Sequence, residues 1–131
     1  MHRGVSICFG LVAVGAVLAS LMAARAKPPA EQPMVRIAEL EIDPAQLPAY
    51  RDALKEEIAD SIRIEPGVLT LYAVAVKDQP NQIRIFETYK DHAAYESHLQ
   101  TPHFKKYKMG TQGMVKSLKL IETDPILLGR K

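Results

Sequence analysis

The sequence predicts an α+β domain in which a four-stranded antiparallel sheet carries helices on one face. Three observations lead to this prediction. Several short segments alternate apolar and polar side chains, or are uniformly apolar, as strands do. One longer segment repeats apolar residues at intervals of three and four, as a helix does. The segments follow one another in the order β-α-β-β-α-β, which is that of the ferredoxin-like split unit.

The first half of the unit begins with a strand at Met34–Ile42, where even-numbered side chains face one way and odd-numbered side chains the other. Asp43 and Pro44 then favour a helix start, because a capping carboxylate is followed by proline at the first helical position. The helix is predicted from apolar residues spaced by three and four, namely Leu47, Tyr50, Leu54, Ile58 and Ile62. The turn Glu65-Pro66-Gly67 ends it.

The second half begins with Val68–Val76, which is so uniformly apolar and β-prone that it predicts a strand covered on both faces. Residues 78–82 predict a hairpin loop, and residues 83–89 alternate again as a third strand. Asp91 suits a helix N-cap before a helix over residues 92–99. Thr101-Pro102 ends that helix and begins another, because proline fits only the first turn. Residues 110–113 are a break, and residues 117–123 predict the fourth strand.

The N-terminal segment has the pattern of a targeting signal and is not part of the predicted domain. Residues 1–26 have a short basic start, an apolar stretch and an A-x-A site at 24–26, which together predict a signal peptide. An uncleaved membrane anchor is the alternative, since the apolar stretch approaches the ~20 residues that span a bilayer. Residues 27–33 predict a flexible spacer, and residues 34–131 a single domain with a C-terminal tail. We therefore expect a periplasmic or secreted protein.

Charge and cysteine content exclude several classes of function. Loss of Arg3 and Arg25 with the signal peptide would leave fifteen basic and fifteen acidic residues, without a block of like charge. This balance predicts neither a nucleic-acid footprint nor, once the signal peptide is cleaved, an electrostatic membrane patch. The one cysteine, Cys8, lies within the predicted signal peptide, so the domain is expected to have no disulfide and no cysteine nucleophile or metal ligand.

The predicted sheet has one face without helices. Val35, Ile37 and one parity of the second and third strands would lie exposed on that face. Soluble monomers seldom expose a large apolar patch, so the pattern predicts a homodimer in which two sheets pack through their open faces. The tail, residues 124–131, is apolar enough to lie across the partner.

Three short motifs resemble one family. These are the E-P-G turn at 65–67, F-E-T-Y-K-D at 86–91, and H-L-Q-T-P-H-F at 98–104. They resemble the antibiotic biosynthesis monooxygenase family of dimeric α+β barrels, and within it the small quinol monooxygenases. The resemblance covers residues 34 to about 123. It implies the fold described above and an oxygenase that uses O2 as co-substrate and needs no cofactor.

The resemblance also allows one branch of that family to be tested. The haem-degrading members have an asparagine, a tryptophan and a haem-ligating histidine at positions that correspond to Leu40, His98 and Lys108 here. None of the three residue types is kept. A protonated lysine cannot ligate iron, so haem degradation by that scheme is not expected.

A cofactor-free oxygenase needs a substrate that donates an electron after deprotonation, a general base, and an apolar pocket that limits water. Histidine is the natural base. His98, at the end of a helix over the sheet, is the first candidate, and His103, in the first turn of the next helix, is the second. Tyr72 and Glu87, central in adjacent strands, are candidates to hold a ring oxygen. Candidate substrate-binding residues are Leu40, Phe86, Tyr95, Phe104 and Tyr107.

Structural interpretations of the same residues remain open. His98 and His103 could cap helix ends, and Glu87 could pair with Arg36 or Arg84 across the sheet. The histidines lack the i, i+4 spacing of a helical metal site, so no metal is expected. Two other functions also remain open: a dimeric protein that binds a small aromatic ligand without turnover, and an isomerase that uses the histidines as acid and base.

Overall fold

The computed structural model describes residues 32–129. The predicted signal peptide, most of the predicted spacer and the last two residues lie outside this range. The strands are β1 (Met34–Ile42), β2 (Val68–Val76), β3 (Gln79–Tyr89) and β4 (Val115–Thr123). The helices are α1 (Leu47–Ile64), preceded by a 3-10 turn at Pro44–Gln46, then α2 (His92–Gln100) and α3 (Pro102–Thr111). The predicted ferredoxin-like order is confirmed, with the second helical position filled by α2 and α3.

All strand pairs are antiparallel, and the sheet order is β2-β3-β1-β4. The predicted alternation in β1 is confirmed: Arg36, Ala38, Leu40 and Ile42 are buried, whereas the odd-numbered residues between them are half-buried. Buried side chains of β1 and β3 pack with residues of α1 in one cluster, formed by Ala38, Leu40, Ile42, Tyr50, Leu54, Ile83 and Ile85. A second cluster on the same face is formed by Val68, Leu71 and Tyr89. This face, which we call the helix face, therefore carries the core.

The prediction that β2 is covered on both faces is wrong for the single chain. β2 lies at the edge of the sheet, and Tyr72 and Val74 are 64% and 50% exposed. The hairpin is also tighter than predicted, because β3 begins at Gln79 and only Lys77 and Asp78 form the turn. Asp78 has a φ of 63°, a conformation that aspartate tolerates better than most residues. β4 likewise begins two residues earlier than predicted.

Side-chain caps fix the start of α2 and the bend between α2 and α3. The Asp91 carboxylate accepts a hydrogen bond from the Ala94 amide at 2.7 Å, as predicted for a helix N-cap. The Thr101 hydroxyl donates to the His98 carbonyl at 2.8 Å and lies 3.3 Å from the Phe104 amide, which donates to it. One residue thus ends α2 and begins α3, and the two histidines of the H-L-Q-T-P-H-F run lie on either side of it.

The turn after α1 lies close against α2. A Cβ atom on Gly67 would lie 2.5 Å from the Ala94 Cβ, nearer than two carbon atoms can approach. Glycine at this position allows the E-P-G turn to contact α2, and Glu65 at the start of the turn is thereby placed beside the end of α2.

The opposite surface of the sheet, which we call the open face, carries Ile37, Tyr72 and Phe86 as direct cross-strand partners. Part of the tail lies near the same edge, since Leu127 and Leu128 line a small groove with Thr70 and Tyr72. Within residues 32–129, no helix is both long and apolar enough to cross a bilayer.

Candidate active site

The candidate site is a cavity of about 480 Å³ on the helix face, between the sheet and the α2–α3 pair. Its walls are mainly apolar and aromatic, with a few charged groups. The residues that line it include Arg36, Leu40, Glu87, Tyr95, His98, Phe104, Tyr107, Lys108, Lys116, Leu118 and Leu120. A larger depression of about 740 Å³ lies between α1 and β2, and the residues of the described part of the chain that line it include Lys55 and Tyr72 but no histidine or carboxylate.

Six of the nine predicted site residues line this cavity: Leu40, Glu87, Tyr95, His98, Phe104 and Tyr107. The structure does not bring Tyr72 and Phe86 to it, because both lie on the open face and are direct partners of each other. Neighbouring side chains in a strand alternate between faces, so Phe86 and Glu87 point to opposite surfaces. The cross-strand partner of Glu87 is Leu71, not Tyr72.

His103 lies beside the cavity rather than in its wall, in a group that we call the carboxylate–histidine cluster: Glu57, Glu65, His98 and His103. Glu65 Oε1 lies 2.9 Å from His98 Nδ1 and 2.6 Å from His103 Nε2. The other nitrogen of His98 faces Glu57 Oε1 at 3.6 Å, and Glu57 accepts a hydrogen bond from the Ser61 hydroxyl at 2.7 Å. Both ring nitrogens of His98 therefore face carboxylates of α1 and its C-terminal turn.

The two carboxylates of the cluster have opposite electrostatic surroundings. Burial alone would raise the pKa of Glu65, but hydrogen bonds from His103 and His98 outweigh it and lower that pKa. Burial raises the pKa of Glu57, and the Ser61 hydrogen bond and nearby His98 offset this only in part. Glu65 is thus held as the carboxylate that joins α2 and α3 to the end of α1.

The cluster also contains the atoms that could hold a metal ion. One oxygen of Glu65 and one nitrogen each of His98 and His103 lie within 4.8 Å of one another. Spacing within one helix does not reveal this group, because Glu65 lies in the turn after α1 whereas the histidines lie in α2 and α3. The same three atoms are already joined by charge-assisted hydrogen bonds, which account for their positions without an ion. That no metal binds stays a prediction.

Glu87 is the acidic side chain in the cavity wall. Its Oε2 accepts a hydrogen bond from the Tyr89 hydroxyl at 2.9 Å. Burial raises the pKa of Glu87, and the Tyr89 hydrogen bond and the charges of His98 and Arg36 offset that effect only partly. A carboxylate whose pKa is raised toward neutrality, in an apolar cavity, is suited to accept and return a proton.

Arg36 is a site residue that the sequence analysis did not single out. It is 7% exposed and lines the cavity. Its Nη2 lies 2.8 Å from Glu122 Oε1, its Nη1 donates to the Tyr95 hydroxyl, and its Nε has no hydrogen-bond partner among residues 32–129. The signal was present in the sequence: Arg36 shares the parity of Ala38, Leu40 and Ile42, where an arginine must be buried.

A pair of tyrosines closes the α3 side of the cavity. The hydroxyl oxygens of Tyr50 and Tyr107 are 2.7 Å apart, and Tyr50 is fully buried in the core. Burial raises the pKa of both phenols, so each remains protonated and donates or accepts as a neutral group.

Comparison with known proteins agrees with this architecture. Residues 33–109 match the family model described as antibiotic biosynthesis monooxygenase. A crystal structure from B. thetaiotaomicron VPI-5482, provisionally described as a member, is 56% identical, with a TM-score of 0.74 over 78% of this chain and 97% of its own. The chain belongs to the antibiotic biosynthesis monooxygenase family. The resemblance found in the sequence is therefore confirmed.

Two other solved structures are more distant. A Lactobacillus acidophilus NCFM protein, provisionally described as a monooxygenase, is 32% identical with a TM-score of 0.67 over 69% of this chain and 43% of its own. A Nitrosomonas europaea protein is 20% identical with a TM-score of 0.68 over 72% of this chain and 99% of its own, which shows the fold alone. No curated protein matches the chain.

Two motifs that carried the family resemblance meet in the structure. The E-P-G turn supplies Glu65, and the H-L-Q-T-P-H-F run supplies both histidines that bind it. These motifs build the carboxylate–histidine cluster, which supports the cavity wall through His98. Two charged residues of the cavity wall, Arg36 and Glu87, come from β1 and β3 instead.

Proposed function

We propose that the protein is an exported monooxygenase that oxidises a quinol or similar phenolic compound with O2, without a metal or organic cofactor. Membership of the family supports the reaction class. The observation that carries the proposal is the position of Glu87, a half-buried carboxylate in the wall of a mainly apolar cavity, whose pKa is raised by burial. Such a group can deprotonate a phenol, and a phenolate is a substrate that reacts with O2 directly.

The steps follow from the cavity. Glu87 takes the proton of the ring hydroxyl, and the phenolate passes one electron to O2. The substrate radical and superoxide combine at a ring carbon that bears hydrogen, and Glu87 returns the proton to give a hydroperoxide. Glu87 then removes the hydrogen of that carbon while the O–O bond breaks, which leaves a carbonyl oxygen on the ring. The departing hydroxide takes this proton, so one O2 yields one inserted oxygen and one water.

In this scheme Glu87 replaces His98 as the first candidate for the base. His98 borders the cavity, but its Nδ1 and Nε2 both face carboxylates, at 2.9 and 3.6 Å. A neutral imidazole carries one N–H and can donate to one of these carboxylates, while its other nitrogen faces the second. Neither nitrogen is directed to a substrate in the cavity. His98 is therefore better suited to support the cavity wall and to contribute to the electrostatic potential at Glu87.

Oxygen consumption tests the proposal. The purified protein is given a panel of hydroquinones and catechols, with autoxidation measured in its absence and a chelator included to remove adventitious metal. We expect uptake above autoxidation and a fall of about 100-fold in kcat for Glu87→Gln, which keeps the shape but cannot accept the proton. Glu96→Gln, at an exposed position of α2, is the matched control. Uptake that Glu87→Gln leaves intact would exclude Glu87 as the base.

The absence of uptake on any phenol would instead favour the second candidate, a protein that binds a small aromatic ligand without turnover. The apolar walls of the cavity, including Leu40, Phe104 and Leu118, support binding whether or not chemistry follows. Saturable binding by calorimetry together with zero oxygen uptake would identify this function.

The proposal includes a homodimer that packs through the open face. Tyr72, Val74 and Phe86 are 64%, 50% and 42% exposed there, a cluster of large apolar side chains that a second sheet would cover. Light scattering after size exclusion is expected to give twice the monomer mass, and Phe86→Asp to give the monomer. Detection of the protein in a periplasmic or culture fraction would test export.

A further inference from the structure

We infer that the cavity selects an aromatic ligand that carries an anionic oxygen, and that Arg36 binds this oxygen. The inference rests on the proposed function in taking this cavity as the substrate site, and it narrows the substrate class to hydroxylated aromatic acids. In such a compound the anion binds Arg36, and a ring hydroxyl lies toward Glu87.

The first support is the incomplete hydrogen bonding of Arg36. A guanidinium has five N–H donors, and burial of an unpaired one is costly. Arg36 is more than nine-tenths buried, lines the cavity, and leaves Nε without a partner in the described part of the chain. The guanidinium makes two hydrogen bonds, through Nη1 and Nη2, so it keeps further N–H groups from which a ligand oxygen in the cavity can accept.

The present ion pair does not neutralise Arg36 well. Its partner Glu122 has a side chain that is 81% exposed, so water competes strongly for that carboxylate. The guanidinium also lies 4.3 Å from the centroid of the Tyr95 ring, which holds its plane at the cavity wall. A buried cation with an exposed counter-ion retains a positive potential on its buried side.

The second support is the sign of the other charges around the cavity. Lys108 at the C-terminal end of α3 and Lys116 in β4 also line it, so three cationic side chains face one carboxylate, Glu87. Lysines at exposed positions attract an anion during approach, whereas a buried guanidinium holds it. A neutral quinol would gain nothing from either contribution.

The third support is the relative position of Arg36 and Glu87. The two residues are direct cross-strand partners of β1 and β3, on the same face of the sheet. Direct partners have Cβ atoms about 5 Å apart, which is comparable to the span of an aromatic ring. One planar ligand can therefore present an anionic oxygen to Arg36 and a ring hydroxyl to Glu87. Phe104, Leu118 and Leu120 supply apolar contacts for the ring.

Two compounds of almost equal shape test the inference: 2-naphthoate, which is anionic, and 2-naphthamide, which is neutral. Neither has a ring hydroxyl, so the proposed chemistry cannot consume them and calorimetry measures binding alone. We expect 2-naphthoate to bind at least tenfold more tightly than 2-naphthamide. In Arg36→Met we expect this preference to fall to twofold or less, with the affinity for the amide unchanged. Arg51→Met, at an exposed position of α1, is the control and should keep the full preference.

Two further measurements test the inference if Arg36→Met does not fold. Lys108→Gln combined with Lys116→Gln should weaken naphthoate binding by about threefold, mainly through the association rate. Raising the salt concentration should weaken naphthoate binding and leave amide binding unchanged. Equal affinity for the acid and the amide, or binding of neither at millimolar concentration, would overturn the inference.

The inference and the proposed function fail in different experiments. Oxygen uptake on neutral quinols together with equal naphthoate and naphthamide affinity would leave the oxygenase standing and remove the anionic ligand. A tenfold preference for naphthoate, with no oxygen uptake on any hydroxynaphthoate, would leave the anion site standing and remove the oxygenase.

Discussion

Two polar regions lie side by side on the helix face, and they differ in how well the fold satisfies their charges. In the carboxylate–histidine cluster, Glu65 accepts from two imidazoles and its pKa is lowered. In the cavity, Nε of Arg36 has no partner within residues 32–129, and burial raises the pKa of Glu87. Polar groups that the fold satisfies are part of the structure, whereas groups that it leaves incomplete are available to a ligand. His98 contacts both regions, since it binds Glu65 and lines the cavity.

The largest expected effect comes from breaking the cluster. Glu65→Gln removes the charge that holds two histidines, while its side chain is only 9% exposed. Loss of the carboxylate that accepts hydrogen bonds from two imidazoles is expected to lower the free energy of unfolding by about 3 kcal/mol, measured by urea denaturation at pH 7. A group whose folded pKa is depressed gives stability above its unfolded pKa, so this loss should shrink as the pH falls below about 4.

Glu96→Gln is the control for that change, since its carboxylate is largely exposed. A loss for Glu65→Gln below about 0.5 kcal/mol, the usual size of an effect at the surface, would show that the cluster does not stabilise the fold.

The next effect comes from displacing the turn that holds Glu65. Gly67→Ala places a methyl group 2.5 Å from the Ala94 Cβ, so the turn and α2 must separate. Overpacking of this kind is expected to cost about 2 kcal/mol, measured by thermal unfolding. Gly110→Ala is the matched control, because a Cβ there meets nothing within 4 Å and the residue lies in a helix. Equal melting temperatures for the two variants would contradict the close contact.

The two regions also differ in how far the sequence predicted them. Alternation gave β1 to the residue, and a uniformly β-prone run after the E-P-G turn gave β2, since both are local signals. Local signals do not give sheet order, and the apolar sequence of β2 predicted a covered strand where the structure has an edge. Tyr72 was placed with Glu87 because both are central in adjacent strands, but register decides the face. Glu65 joined the histidines only through the tertiary packing of α1 against α2 and α3.

In the cavity, substitution of Glu87 is expected to change the free energy of unfolding by a smaller amount and with the opposite sign. A carboxyl with a raised folded pKa gives no penalty below its unfolded pKa and destabilises the fold as the pH rises through the folded pKa. Glu87→Gln mimics the protonated form, so it should raise the free energy of unfolding by about 1 kcal/mol at pH 7. The gain should vanish near pH 4. Loss of activity with a gain in stability is typical of a substitution at a functional residue. A loss of stability would instead show that Glu87 stabilises the fold, as Glu65 is expected to do.

The smallest expected change in unfolding free energy compares the two hydroxyls of one hydrogen bond, one in the buried core and one at the cavity. The hydroxyls of Tyr50 and Tyr107 lie 2.7 Å apart, but Tyr50 is fully buried whereas Tyr107 borders the cavity. Tyr107→Phe leaves a buried hydroxyl without a partner, while Tyr50→Phe leaves one that water in the cavity can reach. An unsatisfied buried group costs more than a lost bond, so Tyr107→Phe should be the less stable variant by about 0.5 kcal/mol. Urea denaturation of both variants and of the double variant measures this. Equal losses would mean that the cavity does not hydrate Tyr107, and a dry cavity would then have to obtain every polar contact for a substrate from Arg36, Glu87 and their neighbours.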